Sequence, residues 1–316
     1  MNTMSVTTYS LREQLGRPID FTFTDPSGKD VQVSLPFAKK LELSEFPARA
    51  KTELGVDAIE AVAFQFDGLD DPELDRFAEQ LAANGVRLVN AAIDAGGDLR
   101  EPDPAKRSAH IAVRKQWIDR FAAMGSAFVR VDAGSPLAPH DGQEPPRHLV
   151  VALRELGAHA AEKGTRLLVE NHGGPTTDPV WMNKLLDAVG KDRCGLLLDL
   201  GNFQVVLAPM MAALFGDSDG QPFDIARAFD GVDLSPVYAD INALAPRAEY
   251  VHVKAHHVND DGGVGAVDLV RAIGILSAHG YSGPLSVEYE GTGGDPWAKT
   301  ARVVEVAAAA ARGAAR

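Results

Sequence analysis

The chain has 316 residues, 45% of them hydrophobic and 24% charged, which is an ordinary globular composition with ample material for a core. Acidic residues outnumber basic ones, 44 against 31, and the formal net charge of −13 argues against a nucleic-acid partner because it repels phosphate backbones. The single cysteine, Cys194, excludes an internal disulfide and favours a reducing compartment. The first twenty residues contain no leader-like apolar stretch, and no apolar run is long enough to cross a bilayer. We therefore expect a soluble, cytoplasmic protein with no membrane partner.

Short apolar runs alternate with longer amphipathic stretches along the chain. The runs rich in Val, Leu and Ile predict strands at 31–35, 58–64, 87–92, 127–131, 166–171, 195–200, 249–254 and 285–289. The amphipathic stretches predict helices at 72–84, 104–124, 147–163, 179–189, 266–279 and 295–312. Several of these helices begin near Asp-Pro and end at Gly, which is typical of helix termini.

Eight strands separated by helical stretches predict a single-domain α/β fold. Strands that alternate with helices must pair in parallel, and eight such units in a chain of this length favour a (β/α)₈ TIM barrel over residues 29–316. An open doubly wound sheet is disfavoured because "SLPFAKK" (34–40), after the first predicted strand, contains no Gly-rich phosphate turn. Residues 1–28 are then an N-terminal extension that either caps the bottom of the barrel or forms a small hairpin.

A long insertion, residues 203–240, follows the sixth predicted strand. Connections of this length are usually functional or disordered. The apolar residues of the insertion favour an ordered lid or a subunit contact, and so make a homo-oligomer one expectation; they include Met210, Met211, Leu214 and Phe215.

Four later strands each carry a side chain of a metal-binding type at the same depth. The segments "LLVE", "LLLD", "EYVH" and "LSVE" end at Glu170, Asp199, His252 and Glu288. Any one of these could be a solvated strand-end residue or a core histidine. All C-terminal strand ends of a parallel barrel open on one face, however, so the four can converge, and three carboxylates there would need a cation. This donor set suits Mn²⁺, Mg²⁺ or Co²⁺ better than a structural zinc; we expect Mn²⁺ first, with Zn²⁺ as a further alternative.

Residues two positions further along the same strands share the inward face. They predict substrate contacts at His172 and Lys254 above the metal, with space left by Gly201. Glu290 has the same parity, and it either faces inward or turns away to form an ion pair at the rim.

Polar residues on the earlier strands lie at comparable depth: Glu60, Asn90 and Arg130. A buried Arg130 needs a carboxylate partner, which Glu60 or Glu170 could provide. We expect Glu60 and Arg130 either to contact the substrate or to orient the ligands.

The histidines leave some alternatives open. In "YVHVKAHHVND" (250–260), His252 matches the depth of the other ligands, whereas His256 shares its parity and is either the substitute ligand or a substrate contact. His257 belongs to the loop. His140, in "SPLAPHDG", is either an additional acid–base group or simply an exposed loop residue.

The motifs "VENHGG", "LLLDLGNF", "YVHVKAHH" and "SVEYEGTGGDP" resemble the xylose isomerase-like TIM barrel superfamily, in particular its sugar phosphate isomerase/epimerase family. The resemblance implies a carbohydrate substrate and a divalent metal held by Glu170, Asp199, His252 and Glu288. It also implies that Glu170 and Glu288 are the acid–base pair that acts beside a carbonyl through an enediolate. Asn202 stands where known 3-epimerases carry a histidine, which predicts a substrate contact, while "HHVND" lacks their arginine.

The leading hypothesis is therefore a metal-dependent sugar isomerase or epimerase, and the absence of a Gly-rich phosphate cradle favours an unphosphorylated substrate. The same residues would also serve a lyase, either a dehydratase of keto-inositols or dehydroshikimate, or a 3-keto C-glycoside deglycosylase. In the deglycosylase, His140 would be the general base and a second subunit would be required. An abasic-site endonuclease is disfavoured because "AIEAVAF" and "RLVNAAI" contain no histidine. A barrel that only binds ligand is disfavoured because all four metal-type residues are present.

Overall fold

The computed structural model describes residues 2–24, 30–135, 142–215 and 225–314. Eight parallel strands close into a barrel in which chain neighbours are spatial neighbours and the first strand pairs with the last. The barrel strands are β1 (Met4–Thr7), β2 (Ala58–Val62), β3 (Arg87–Ile93), β4 (Phe128–Val131), β5 (Arg166–Glu170), β6 (Gly195–Asp199), β7 (Ala248–Ala255) and β8 (Leu285–Tyr289). The predicted (β/α)₈ TIM barrel is confirmed.

Nine helices lie in the described residues: α1 (Phe46–Glu53), α2 (Pro72–Asn84), α3 (Pro104–Ala123), α4 (Arg147–Glu162), α5 (Pro179–Val189), α6 (Gln204–Phe215), α7 (Pro236–Leu244), α8 (Leu269–Ala278) and α9 (Pro296–Ala314). Three of them start where an Asp side chain accepts a backbone N–H and a Pro takes the first turn, at Asp71, Asp103 and Asp178. The Asp-Pro signals therefore placed these helix starts correctly. No helix in this part of the chain has both the length and the apolarity needed to span a membrane.

The prediction of the first barrel strand at 31–35 was wrong. Residues Asp30–Leu35 do form a strand, but it pairs antiparallel with Ile19–Thr24 in a hairpin outside the barrel. The first barrel strand is β1, inside the segment assigned to an N-terminal extension, where it pairs with β8 and β2. The inward-facing Ser5 and Thr7 are small polar residues that are fully buried, so β1 lacks the apolar signature by which the other strands were found.

The segment after β6 is more helical than the sequence indicated. It contains α6 and the start of α7, with a short 3₁₀ helix, Arg227–Phe229, between them. Met210 packs on the core, and residues 216–224 lie outside the described part of the chain.

The barrel interior is apolar below its C-terminal mouth. Ala58, Val89, Leu168, Leu197 and Tyr250 form a buried cluster inside the cylinder. Because side chains alternate along a strand, the residues two positions beyond Leu168, Leu197 and Tyr250 point to the same interior, one layer higher. That layer holds Glu170, Asp199 and His252.

Candidate metal centre

Glu170, Asp199, His252 and Glu288 meet at the C-terminal mouth of the barrel. Each of the four is buried, and one potential ligand atom from each lies within 4.8 Å of those of the others. The strands do not align these residues in register, since Asp199 pairs with His252 but Glu170 pairs with Leu197. Such an offset accompanies tilted barrel strands, and it brings the side chains to one height.

The His252 ring is held with one particular nitrogen toward the cluster. Nδ1 lies 3.1 Å from Glu170 Oε1, 3.4 Å from Asp199 Oδ2 and 3.5 Å from Glu288 Oε2. On the other side, Nε2 lies 3.0 Å from both carboxylate oxygens of the fully buried Glu60. Glu60 therefore lies on the side of the imidazole opposite Nδ1, where it can orient His252, which is one of the two roles expected for it. A carboxylate behind a ligating histidine is a common feature of metal sites.

The backbone around Asp199 fixes its carboxylate. The Asn171 side chain donates to Asp199 O at 2.9 Å and accepts from Asp199 N at 2.8 Å. Gly201 N donates to Asp199 Oδ1 at 2.7 Å, which leaves Oδ2 directed at the cluster. The first glycine after β6 thus provides a donor as well as space.

Lys254 is a fixed cation beside the cluster. Its Nζ lies 3.2 Å from Asp199 Oδ2, 3.0 Å from Glu288 Oε2 and 3.1 Å from Glu290 Oε1. It also donates to Asn202 Oδ1 at 3.0 Å. Burial alone would lower the pKa of Lys254, but the carboxylates raise it well above its ordinary value, so the ammonium stays charged. Because Glu290 contacts this buried ammonium group, its side chain faces inward rather than turning away at the rim.

Asp199 and Glu288 are ionised. Burial opposes this, but Lys254 and His252 hold the pKa of Asp199 and of Glu288 below the ordinary carboxyl range. Burial likewise opposes a charge on His252, yet Glu60, Glu288 and Glu170 raise its pKa well above its ordinary value.

A divalent cation fits this donor set. Glu170 Oε2, Asp199 Oδ2 and Glu288 Oε2 are buried and accept no well-directed hydrogen bond within the described residues. These oxygens are ion-paired with Arg130 or Lys254, but three carboxylates this close still repel one another, and a cation bound among them would offset that repulsion. Three hard oxygens and one imidazole nitrogen are ligands that Mn²⁺ and related ions accept.

A second charged network supports Glu170 from the β3–β4 side. Arg130 Nε lies 2.8 Å from Glu170 Oε2, and its guanidinium also pairs with Asp94 and, at 3.1 Å, with Asp132. The sequence left Glu60 and Glu170 as possible partners of Arg130, and in the structure Glu170 is the partner. Asp94 and Asp132 were missed, although each immediately follows a barrel strand, which is the signal that could have identified them.

His172 belongs to this second network. Its Nδ1 lies 2.9 Å from Asp132 Oδ1, and its side chain is 31% exposed at the mouth. Burial alone would lower the pKa of His172, but Asp132 and Glu170 raise it to about 9. Asp132, Glu170 and His172 also lie close enough to form a second set of potential metal ligands.

The remaining predicted residues have different environments. Asn202 Nδ2 donates to Glu170 Oε1 at 3.3 Å, so Asn202 links Glu170 to Lys254. His256 is buried and is not part of the four-residue cluster, which leaves His252 as the candidate ligand. His140 lies outside the described residues.

One mouth residue was missed because β1 was misplaced. Tyr9 follows β1, and its ring meets the Phe64 ring edge-on with 6.0 Å between centroids. Burial and the charge of Glu290 raise the pKa of Tyr9, so its hydroxyl remains neutral.

The fold and the cluster define a class of protein, a TIM barrel with a candidate metal centre of three carboxylates and one histidine at its C-terminal mouth. A sequence model described as xylose isomerase-like TIM barrel matches residues 48–309. The chain belongs to this family.

Solved structures share the fold at low sequence identity. An L-ribulose 3-epimerase has a TM-score of 0.67 at 17% identity, covering 100% of this chain and 96% of that one. A D-allulose 3-epimerase from Methylomonas sp. has a TM-score of 0.63 at 16% identity, covering 98% of each chain. A 3-keto-D-glucoside 4-epimerase from E. coli has a TM-score of 0.59 at 14% identity, covering 97% of this chain and 99% of that one. No curated protein matches the chain.

Proposed function

We propose that this protein is a divalent-metal-dependent sugar isomerase or epimerase. The observation that carries the proposal is the convergence of two ionisable carboxylates, Glu170 and Glu288, from non-adjacent strands on one histidine nitrogen. Such a pair can remove a proton from a carbon beside a carbonyl on one face and return a proton on the other. The similar folds named L-ribulose 3-epimerase, D-allulose 3-epimerase and 3-keto-D-glucoside 4-epimerase agree with this chemistry.

The proposed ligands are Glu170, Asp199, His252 through Nδ1, and Glu288. A divalent ion held there, with Mn²⁺ preferred from the donor set, would polarise the substrate carbonyl and favour the enediolate. Glu60 holds the His252 ring in the orientation that presents Nδ1.

The other residues of the mouth position the substrate and the carboxylates. Arg130 holds the Glu170 carboxylate in place at the mouth through its 2.8 Å contact. Lys254 keeps Glu288 ionised and lies where it can donate to a substrate oxygen. Asn202 donates to Glu170 and accepts from Lys254, and so connects Glu170 with the cation that pairs with Glu288. The apolar layer below the cluster keeps water from entering through the barrel bottom.

Solvent deuterium exchange tests the proposal. Metal-loaded protein is incubated in D₂O with a panel of free ketoses, aldoses and keto-sugars, and the products are followed by NMR and mass spectrometry. We expect deuterium at one carbon and a product of unchanged mass apart from the label. Absence of exchange with every member of the panel would contradict the proposal.

A lyase of the same fold is the second candidate, and the Asp132–His172 pair is the observation that favours it. Asp132 fixes the His172 ring, and the partly exposed imidazole lies close to Glu170 at the mouth. That arrangement would place a proton donor beside a leaving hydroxyl after Glu170 had removed the neighbouring proton. Loss of water or of an aglycone in the same assay would establish the lyase and exclude epimerisation as the net reaction.

A further inference from the structure

The backbone that carries Glu288 is held by a strand on only one of its two sides. On the β7 side the ladder runs to the end of β8, with Glu288 paired to Lys254. On the other side β1 ends at Thr7, and its ladder with β8 reaches only Val287. The buried β8 backbone beyond Val287 therefore needs partners other than a strand on this side, at the point where it carries the proposed acid–base residue.

A serine of the segment after β1 takes the place of the ladder. This segment is the 3₁₀ helix Thr8–Gln14. Ser10 Oγ accepts a hydrogen bond from Tyr289 N at 3.0 Å and donates one to Val287 O at 3.3 Å. The hydroxyl, which is both donor and acceptor, thus holds the residue before Glu288 and the residue after it. Ser10 is only 2% exposed, so water does not compete for these bonds.

Arg12 of the same 3₁₀ helix holds the loop that follows β8. Nη1 donates to Tyr289 O at 2.9 Å, and Nη2 donates to the carbonyl oxygens of Glu290 at 2.5 Å and Gly291 at 3.2 Å. The guanidinium is a planar fork of donors, so one side chain can bind three consecutive carbonyls. The Tyr9 ring packs against it, with its centroid 5.0 Å from Arg12 Cζ.

The segment held in this way carries two carboxylates of the mouth. Glu288 Oε2 and Glu290 Oε1 lie 3.0 Å and 3.1 Å from Lys254 Nζ. Misplacing a reacting group by about 1 Å can lower a rate by about 100-fold, and catalytic side chains therefore need a rigid support. The bonds from Ser10 and Arg12 provide such a support from outside the barrel interior.

We propose that Ser10 and Arg12 are positioning residues that fix the Glu288 carboxylate at the candidate metal centre. They act through the backbone of residues 287–291 and take no part in the proton transfers. This inference rests on the proposed function, to which it adds the two residues that determine how well one of its acid–base groups is placed.

Two pairs of variants test the proposal. Arg12→Met removes the guanidinium, whereas Arg12→Lys keeps the charge and part of the hydrogen bonding. Ser10→Ala removes the hydroxyl, whereas Ser10→Thr keeps it.

Arg154→Met and Ser126→Ala are the matched controls. Arg154 donates to the carbonyl oxygens of Val189 at 3.1 Å and Ala188 at 2.6 Å, and Ser126 donates to Phe128 O at 2.6 Å. These accepting groups precede or begin β6 and β4, so they lie at the end of the barrel opposite the mouth. The controls therefore remove the same types of side chain and backbone contact without touching the loop after β8.

Co²⁺ is the probe of the metal centre, because its absorption spectrum depends on the geometry of its ligands. For each protein we would record this spectrum, the thermal midpoint, and kcat and KM for deuterium exchange. We expect Arg12→Met and Ser10→Ala to lower kcat by about 10- to 100-fold with little change in KM, and to alter the Co²⁺ spectrum. Arg12→Lys and Ser10→Thr should recover part of both. The controls should keep the wild-type kcat and spectrum even where their thermal midpoints fall.

A wild-type kcat and Co²⁺ spectrum in Arg12→Met and Ser10→Ala would overturn the positioning role, and so would equal losses in the two controls. If Arg12→Met does not fold, Arg12→Lys and Ser10→Ala decide by the same criteria. Lack of exchange by wild type with every sugar would overturn the proposed function, while the Co²⁺ spectra would still decide the positioning of Glu288. A wild type that binds no Co²⁺ would overturn the inference together with the metal centre.

Discussion

Replacing Glu60 by glutamine should weaken metal binding although Glu60 is not a ligand. The Glu60 carboxylate places both oxygens 3.0 Å from His252 Nε2 and is itself completely buried. It therefore fixes the proton on Nε2 and presents Nδ1 to the cluster. A glutamine can retain one acceptor, but it loses the charge and can turn its NH₂ group toward the ring, which favours the wrong tautomer.

The magnitude follows from the contacts that are lost. A hydrogen bond to a charged group is worth about 1.5–3 kcal/mol, and removal of a partner behind a metal-ligating histidine typically costs about 10- to 100-fold in metal affinity. We therefore expect Glu60→Gln to raise the Kd for Mn²⁺ by about 10- to 100-fold, or about 1.4–2.7 kcal/mol. The Kd is measured by titrating metal-free protein with Mn²⁺ and following the signal of the free ion by electron paramagnetic resonance.

Glu249→Gln is the matched control. Glu249 lies on the same strand, three residues before His252, and pairs with Arg166 at 2.7 Å. This variant removes a paired carboxylate without touching the cluster, so its Mn²⁺ affinity should equal that of wild type. A Glu60→Gln protein that is folded and binds Mn²⁺ as tightly as wild type would refute the orientation of His252 proposed here.

Three further predictions concern the same groups. Glu170→Gln and Glu288→Gln should each reduce turnover by about 10²–10⁴-fold with the fold retained, as checked by exchange kinetics and circular dichroism; near-normal turnover in either variant would refute the acid–base assignment. Metal affinity should rise with pH across the neutral range, because the raised pKa of His252 means that the incoming ion must displace a proton; a pH-independent Kd between pH 6 and 8 would show that His252 is not the ligand. Because the pKa of His256 falls to about 4 on folding, the unfolded chain binds more protons between about pH 6.5 and 4, and stability is lost as the pH falls through this window. Wild type should therefore lose about 2–3 kcal/mol more than His256→Gln between pH 7.5 and 4.5 in urea unfolding, and parallel pH profiles for the two proteins would contradict the buried neutral histidine.

The sequence predicted the elements whose signals are local. The helix starts at Pro72, Pro104 and Pro179 followed from Asp-Pro pairs, because the side-chain cap and the proline act within one turn. The later strands were found because their continuous apolar runs are typical of strands buried on both faces.

Strand assignments that depend on closure of the barrel could not be predicted from the sequence. β1 is four residues long with polar Ser5 and Thr7, and only its pairing with β8 and β2 identifies it as a barrel strand. The alternation of Val31, Val33 and Leu35 is equally typical of a barrel strand and of the hairpin that it actually joins.

The residues of the candidate site also divide into those with a local sequence signal and those whose position depends on the closed barrel. Period-two alternation predicted which residues of each strand face inward, and the structure places Glu170, Asp199, His252 and Glu288 together. The position of Glu60 behind His252 was not predictable, because it depends on how strands that are not neighbours face each other across the barrel.

The most direct test of the metal centre is a crystal structure of the Mn²⁺-loaded protein with anomalous diffraction data. We predict a single strong anomalous peak about 2.0–2.4 Å from His252 Nδ1 and from one carboxylate oxygen each of Glu170, Asp199 and Glu288, with Glu60 still on His252 Nε2. The proposed metal centre would be contradicted if no peak lay among these four residues and Lys254 alone neutralised Asp199 and Glu288.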